Sequence, residues 1–383
     1  MGPPILLDKS AIQALSADEA FQLGLYYNLV IPPILMAEIL ADFAKAKKSK
    51  RAAKAKLRSD AVEIARKLRD CAERYFCLSR RELVVGELLT GALDLSHRPY
   101  VDGSRVVTGS GKRGFWVDDG RENALADWSQ EKFTQFDRLS AYDWRLSTAR
   151  IDLERLRKAL IRQHGVNAPL RDFQQLDAWV RERLTLPEVQ ASLLELLLGF
   201  SHAAPAHTAN AILRWRQNGQ PSLSEYAPYT FFCARVLMLF HFGLLSSLVG
   251  TRPTNRVDME YLFYLPFCIA FSSGDEFHRS LAPLLLDAEQ AFIGRDELKG
   301  DLGRICEESR RAEQTGGRRR RYPPEHPDSI TWRLWQQHMG SEEEIEGEGD
   351  IQTSPEEREA TLKMLEEFQR VQPPRRRHEG TTL

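Results

Sequence analysis

Apolar positions at the start of the chain come as short unbroken runs. Ile5-Leu6-Leu7 is the first, ended by Asp8, and Ser10-Ala11-Ile12 behind it can start a helix. Leu29-Val30-Ile31 is the second, and Pro32-Pro33 closes it. Such runs are what strands buried on both faces need. Proline at the first helical position then opens a helix carrying Ile34, Leu35, Ala37, Glu38, Ile39 and Leu40. Strand, helix, strand, helix predicts an α/β unit with parallel strands. The pattern returns only near the other end. A short helix from Asp258 to Leu265 is stopped by Pro266, and Phe267 to Phe271 reads as an apolar strand. After Ser272-Ser273-Gly274-Asp275 come a helix from Phe277 to Leu286 and a last strand at Ala291-Phe292-Ile293.

The long middle reads as helical. Ser59 to Tyr75 carries Val62, Ala65, Leu68, Ala72 and Tyr75 at helical spacing. Tyr142 to His164, Leu170 to Leu184, Pro187 to Phe200 and Tyr226 to Leu248 are further helices. Arg98 to Asp119, with Asp102-Gly103 and Gly109-Ser110-Gly111, suits a hairpin or an exposed loop. Thr230 to Gly250 is apolar for about a membrane thickness, but Arg235 and His241 lie inside it. A buried core helix is the better reading, with no membrane partner. From Ser309 the composition changes: Arg318 to Arg321 is an arginine run, and Glu342 to Asp350 holds six acids in nine residues. Charge blocks of this kind predict a largely disordered tail. Two pieces of it, Ile330 to Trp335 and Pro355 to Val371, suit ordering on a protein partner.

The expected organisation is therefore an α/β parallel-sheet domain in two parts, 1–45 and 252–308. A mainly helical insertion, 46–251, splits it, and the charged tail is 309–383. Composition narrows the function classes. With 53 Lys+Arg against 54 Asp+Glu the net charge is -1, which excludes a uniformly basic binder but leaves room for a local basic patch. Five cysteines without a C-x-x-C pair argue against a disulfide framework and a zinc knuckle, and for a reducing, cytoplasmic setting.

The candidate chemistry lies in the acids. Asp8 and Asp275 each fall just past the C-terminal end of a predicted parallel strand, where open α/β sheets bind ligands. Glu38 leans over the same edge from the helix after the second strand, and Asp258 begins the helix that feeds the strand before Asp275. Carboxylates gathered there would repel one another, so a cluster implies a hard divalent cation, Mg²⁺ or Mn²⁺. Such an ion activates water against a phosphodiester. The plain alternative is that Asp8, Asp258 and Asp275 are helix N-caps.

These pieces together resemble the PIN-like nuclease family. Ile5-Leu6-Leu7-Asp8-Lys9-Ser10, Ile31 to Glu38, Asp258 to Leu262 and Ala270 to Asp275 carry the likeness, over about a quarter of the chain. The resemblance implies a PIN-like fold and catalytic, metal-holding roles for Asp8, Glu38, Asp258 and Asp275, with Glu260 as a neighbouring competitor for the third. It gives supporting roles to Ser10 and Ser273. It further implies a metal-dependent endoribonuclease acting on RNA, toxin-like or RNA-processing. A structure-specific DNA nuclease and a catalytically silent interaction scaffold are the alternatives.

Continuing directly from the Glu38 helix, Lys45 to Arg58 holds eight basic residues among fourteen and no acid. Lys47, Lys48, Lys50 and Arg51 are the candidates to hold a nucleic-acid backbone, the alternative being a solvated helix surface. Arg235 and His241 read as a satisfied core pair.

Overall fold

The computed structural model describes residues 2–46, 51–71, 73–101, 104–109, 112–117, 120–164, 171–200, 203–314 and 322–340. β1 (Pro4–Leu7) opens the chain, and Asp8 caps α1 (Lys9–Ala14) by accepting the Ala11 N–H. A Ser16/Glu19 capping box starts α2 (Ala17–Tyr26), which leads to β2 (Asn28–Ile31) and α3 (Pro33–Ala46). α4 (Arg51–Asp70) feeds β3 (Arg74–Phe76) and α5 (Arg80–Thr90). β4 (Ser104–Gly109) and β5 (Lys112–Val117) pair as an antiparallel hairpin.

Helices dominate the next stretch: α6 (Gly120–Ser129), α7 (Gln135–Ala149), α8 (Leu153–His164) and α9 (Phe173–Thr185) come first. α10 (Gln190–Phe200), α11 (Pro205–Gln217), α12 (Leu223–Tyr226) and α13 (Pro228–Leu245) follow. The chain then returns to the sheet through α14 (Pro253–Leu262), β6 (Ala270–Ser273), α15 (Glu276–Leu285) and β7 (Ala291–Gly294). α16 (Arg295–Gln314) and α17 (Ile330–His338) complete the described elements.

Five strands form one parallel sheet in the order β3-β2-β1-β6-β7. β1 is central, with Ile5 in register with Leu29 on one side and Ala270 on the other. Ile5, Leu6, Leu7, Ala270 and Phe271 are buried, as central parallel strands covered on both faces must be. The connection from β1 runs to β2 on one side, while β6 lies on the other. The carboxyl ends of β1 and β6 therefore bracket a topological switch point, the crevice where α/β sheets receive ligands. Asp8 and Asp275 flank it.

Several expectations are corrected. The sheet's edge strand, β3, comes from inside the stretch read as insertion, so the α/β unit takes in α4 and β3 as well. Tyr75 fits a helical stripe and a strand equally well, and an edge strand paired only to β2 needs no long apolar run. The helix read from Tyr142 to His164 is two, because Asp152 accepts the Arg155 N–H and starts α8 anew. Asp258 sits in the second turn of α14, which Pro253 opens, so it is not an N-cap.

The tail correction is larger. α17 is docked on the chain's own α/β unit: Trp335 donates Nε1–H to the Tyr26 carbonyl at 2.7 Å, and Tyr27 donates its hydroxyl to Thr331 at 3.1 Å. The cause is an apolar stripe, Ile330, Leu334 and Trp335, that buries against the core. Pro355 to Val371 lies outside the described residues. α13 is long and apolar enough to cross a membrane, and ten of its residues are buried within the fold. Inside and beside it, Arg235 pairs with Asp177 of α9 at 2.7 Å and the His241 ring hydrogen-bonds the Leu237 carbonyl. Each has a neighbour of its own to satisfy it.

Candidate active site

Asp8, Glu38, Asp258 and Asp275 line one pocket of about 180 Å³ at the switch point, together with Lys9, Ser10, Gln13, Tyr261, Gly274 and Arg295. Four separate segments thus deliver an acid to the same crevice. β1 ends so that Asp8 emerges at the sheet edge, and the Asp8 N–H bonds the Ser272 carbonyl at 3.1 Å, tying the two central strand ends together. α3 carries Glu38 and α14 carries Asp258 from the side. Asp275 caps α15 by accepting the Phe277 N–H at 2.8 Å.

Asp8 is the most tightly held. It accepts the Ala11 N–H at 2.7 Å, the Ser10 hydroxyl at 2.8 Å and the Ser273 hydroxyl at 2.6 Å. Burial works against its charge, yet His278 at 3.6 Å, Ser273 and the Ala11 N–H hold its pKa below the usual carboxylate value. Ser10 also accepts the Gly274 N–H at 3.2 Å, so the turn after β1 and the turn after β6 are locked to each other. Gly274 permits close approach: a Cβ there would come within 3.0 Å of the Arg295 guanidinium.

His278, fully buried on α15, knits the acids from below. Its Nε2 lies 2.8 Å from the Asp258 carbonyl, an acceptor only, so Nε2 carries a proton. Its Nδ1 lies 2.8 Å from Ser273 Oγ, whose own proton goes to Asp8. In that arrangement Nδ1 donates too, and the ring is an imidazolium. Burial opposes the charged ring, but the Asp8 carboxylate and the Asp258 backbone outweigh it and raise the pKa.

Glu38 and Asp258 are held differently. Tyr261, one turn beyond Asp258 on α14, donates its hydroxyl to Glu38 Oε2 at 2.5 Å. Burial raises the Glu38 pKa, and Asp8 and Asp42 push the same way against Lys9 and Tyr261. Asp258 stands out. Its Oδ2 is buried without a hydrogen-bond partner. Burial, reinforced by Asp275, Glu38 and Asp8 against the pull of His278, lifts its pKa to about 7. The nearby cations are already engaged: Lys9 with Asp42 at 2.6 Å and Arg295 with Asp296 at 3.0 Å.

Among the described residues, no three His, Cys, Asp or Glu side chains are grouped closely enough to hold one metal ion as they stand. The carboxylates share a pocket, while Asp8, Glu38 and Asp275 spend acceptors on protein donors. Glu260 belongs elsewhere, paired with Arg256 on its own helix. Lys47, Lys48 and Lys50 lie outside the described residues. Arg51 is the first residue of α4, which packs along α3 instead of extending it. Tyr261, His278 and Arg295 escaped the sequence reading. For the first two a signal existed, since each follows a candidate acid by three residues and so shares its helical face. Compared with known protein families, with curated proteins and with solved structures, the chain matches none.

Proposed function

We propose that this chain is a PIN-like, metal-dependent endoribonuclease that hydrolyses RNA phosphodiester bonds in the pocket at the switch point. One observation carries the reading: acids from four separate segments line one small pocket at the carboxyl edge of a parallel sheet. Such crowding raises the free energy of the empty site, and a cation relieves it. The donor set is all hard oxygen, and Asp258 Oδ2 is an orphaned buried acceptor. By charge, donor type and that unpaired oxygen the residues fit Mg²⁺ or Mn²⁺, with Asp8, Glu38, Asp258 and Asp275 to hold it. A bound cation supplies an activated water and neutralises charge on the phosphate.

The protein's own part is positioning. Ser10, Ser273 and the Ala11 N–H fix Asp8, while the buried imidazolium of His278 offsets its charge. Tyr261 orients Glu38. Asp258, with an oxygen that no protein donor satisfies, is left open to the cation.

A specific observation favours a second reading, a catalytically silent scaffold: Asp8 and Asp275 both cap helices, and no three acids close around one point. Asp8→Asn and Asp275→Asn separate the two, because asparagine keeps the cap and removes the charge. Each should abolish Mn²⁺-dependent RNA cleavage with an unchanged circular-dichroism spectrum. Wild-type turnover in both variants would sink the proposed site. Competition between single-stranded RNA and flapped DNA distinguishes the DNA-nuclease form of the activity.

A further inference from the structure

α7 is apolar on two faces. On one it buries Ala141 and packs on α3 and α14, with Trp144 and Thr148 half-buried. On the other it turns Phe136, Leu139 and Tyr142 outward, exposed at 76%, 55% and 49%. Single exposed apolar residues are ordinary, but three at i, i+3, i+6 make a stripe that marks an interaction site. A helix apolar all round belongs in an interior, yet this face is open. Two cations border it: Arg138, one turn before Tyr142, and Arg145, whose guanidinium lies over the Tyr142 ring at 5.7 Å.

The stripe is small. Three side chains at these exposures offer roughly 350 Å², well under the roughly 800 Å² per partner that holds separate molecules together. A second copy would therefore have too little to grip. A segment of the same chain needs far less, because a short tether sets a millimolar effective concentration. Such a segment stands in the sequence. Ser354, Pro355 and Glu357 read as N-cap, first helical residue and capping-box acid, and Pro373-Pro374 stops the run. As a helix, Pro355 to Val371 would gather Met364, Leu365, Phe368 and Val371 on one face, with Glu356, Glu359 and Glu366 opposite. It carries five acids against three bases, opposite in sign to Arg138 and Arg145.

The tail already docks once on its own chain: α17, another apolar stripe between charge blocks, buries Ile330, Leu334 and Trp335 in the core. α17 ends at His338, whose ring feels the charges of Glu289, Asp287 and His97. From the His97 loop, Tyr100 accepts the Leu78 N–H, and Ser79 lines one cleft with Trp144 of α7. A few neighbouring residues thus join the end of α17 to α7. The fourteen residues 341–354 span up to about 46 Å when extended, enough for that path. We propose that Pro355 to Val371, a segment outside the described residues, docks as a helix on the outward face of α7, setting Leu365 and Phe368 against Leu139 and Tyr142. The inference stands apart from the nuclease reading.

Hydroxyl-radical footprinting of the full chain tests it, because oxidation of Phe136, Tyr142 and Met364 reports their exposure directly. For a contact with a Kd of about 0.25 mM in trans, a millimolar effective concentration leaves about one-fifth undocked. Leu365→Asp combined with Phe368→Asp should therefore raise oxidation of Phe136 and Tyr142 about fivefold, and Leu139→Asp should do the same for Met364. These substitutions fall in the tail or on an exposed position, and unchanged oxidation of the buried Phe271 checks that the core persists. A synthetic peptide of residues 354–372, at millimolar concentration, should protect Phe136 and Tyr142 again in the tail variant and leave wild type unchanged. Equal oxidation of Phe136 and Tyr142 in wild type and tail variant would overturn the docking. Protection in wild type that fades on dilution would also overturn it, and would make a second copy the occupant.

Discussion

Among the acids withdrawn from water, two sets are held in opposite ways. Glu87 and Asp301 lie away from the sheet's carboxyl edge, and both are saturated with donors. Glu87 accepts the N–H groups of Leu93, Tyr229 and Thr230, the last two at the start of α13, where the Ala227 N-cap has no side chain to do it. Asp301 accepts the Thr331 N–H and hydroxyl and the Ser329 hydroxyl, holding the first turn of α17. In the acid pocket, by contrast, Asp258 keeps a buried oxygen without a donor, and Asp275, Glu38 and Asp8 act on it with like charge. Burial of a carboxylate is therefore no mark of a site. What sets the acid pocket apart is its shortage of donors, with like charges left facing one another.

The comparison makes the saturated acids the stability-critical ones. Glu87→Ala would strand two buried N–H groups and a partly buried third, and uncap α13. The expected loss is about 4 kcal/mol, given 1–3 kcal/mol for each buried group left unpaired and partial relaxation around the gap. Denaturant unfolding reads it, and a loss below about 1 kcal/mol would break the contrast, since a cap alone is worth that much. Asp301→Ala comes next, at about 2–3 kcal/mol, because α17 also keeps its Trp335 and Tyr27 bonds. Its separate signature is local: Trp332 and Trp335 should become accessible to a fluorescence quencher at denaturant levels where the rest of the fold persists.

Much of the α/β frame was legible in the sequence because unbroken apolar runs have few other uses. β1, β2, β6 and β7 each coincide with or overlap such a run. β3 was not, because three residues at a sheet edge carry almost no pattern. The docking of α17 was hidden for a related reason: its apolar stripe sits between charge blocks, and composition averaged over the tail masks a nine-residue helix. Asp8, Glu38, Asp258 and Asp275 could be singled out by position relative to strand ends. What no linear reading supplies is how they are held. Asp258 in mid-helix, Tyr261 on Glu38, and the His278 ring between Ser273 and the Asp258 carbonyl depend on helix phase and on contacts across more than two hundred residues.

The smallest effect is the most telling, because its sign is opposite to that of the other two. Asp258 has a pKa near 3.8 in an unfolded chain and about 7 in the folded one. Between those values the native protein keeps a proton that the unfolded chain has lost. Native stability therefore falls as pH rises from about 4 to about 7, and the cost is complete above that. Asp258→Asn cannot ionise and escapes it. A shift of this size has a ceiling of about 4 kcal/mol, reduced here because the carboxyl is only partly withdrawn from solvent and its neighbours relax. In EDTA at pH 8 the variant should be more stable than wild type by about 1–2 kcal/mol, and equal to it at pH 4. Mn²⁺ should reverse the order, because an ion bound only by the native state adds about 2.7 kcal/mol at a hundredfold excess over its Kd, and the variant lacks a ligand for it. If Asp258→Asn is destabilising in EDTA at pH 8, the carboxylate is a structural one like Glu87, and the four acids are held by the fold for its own stability.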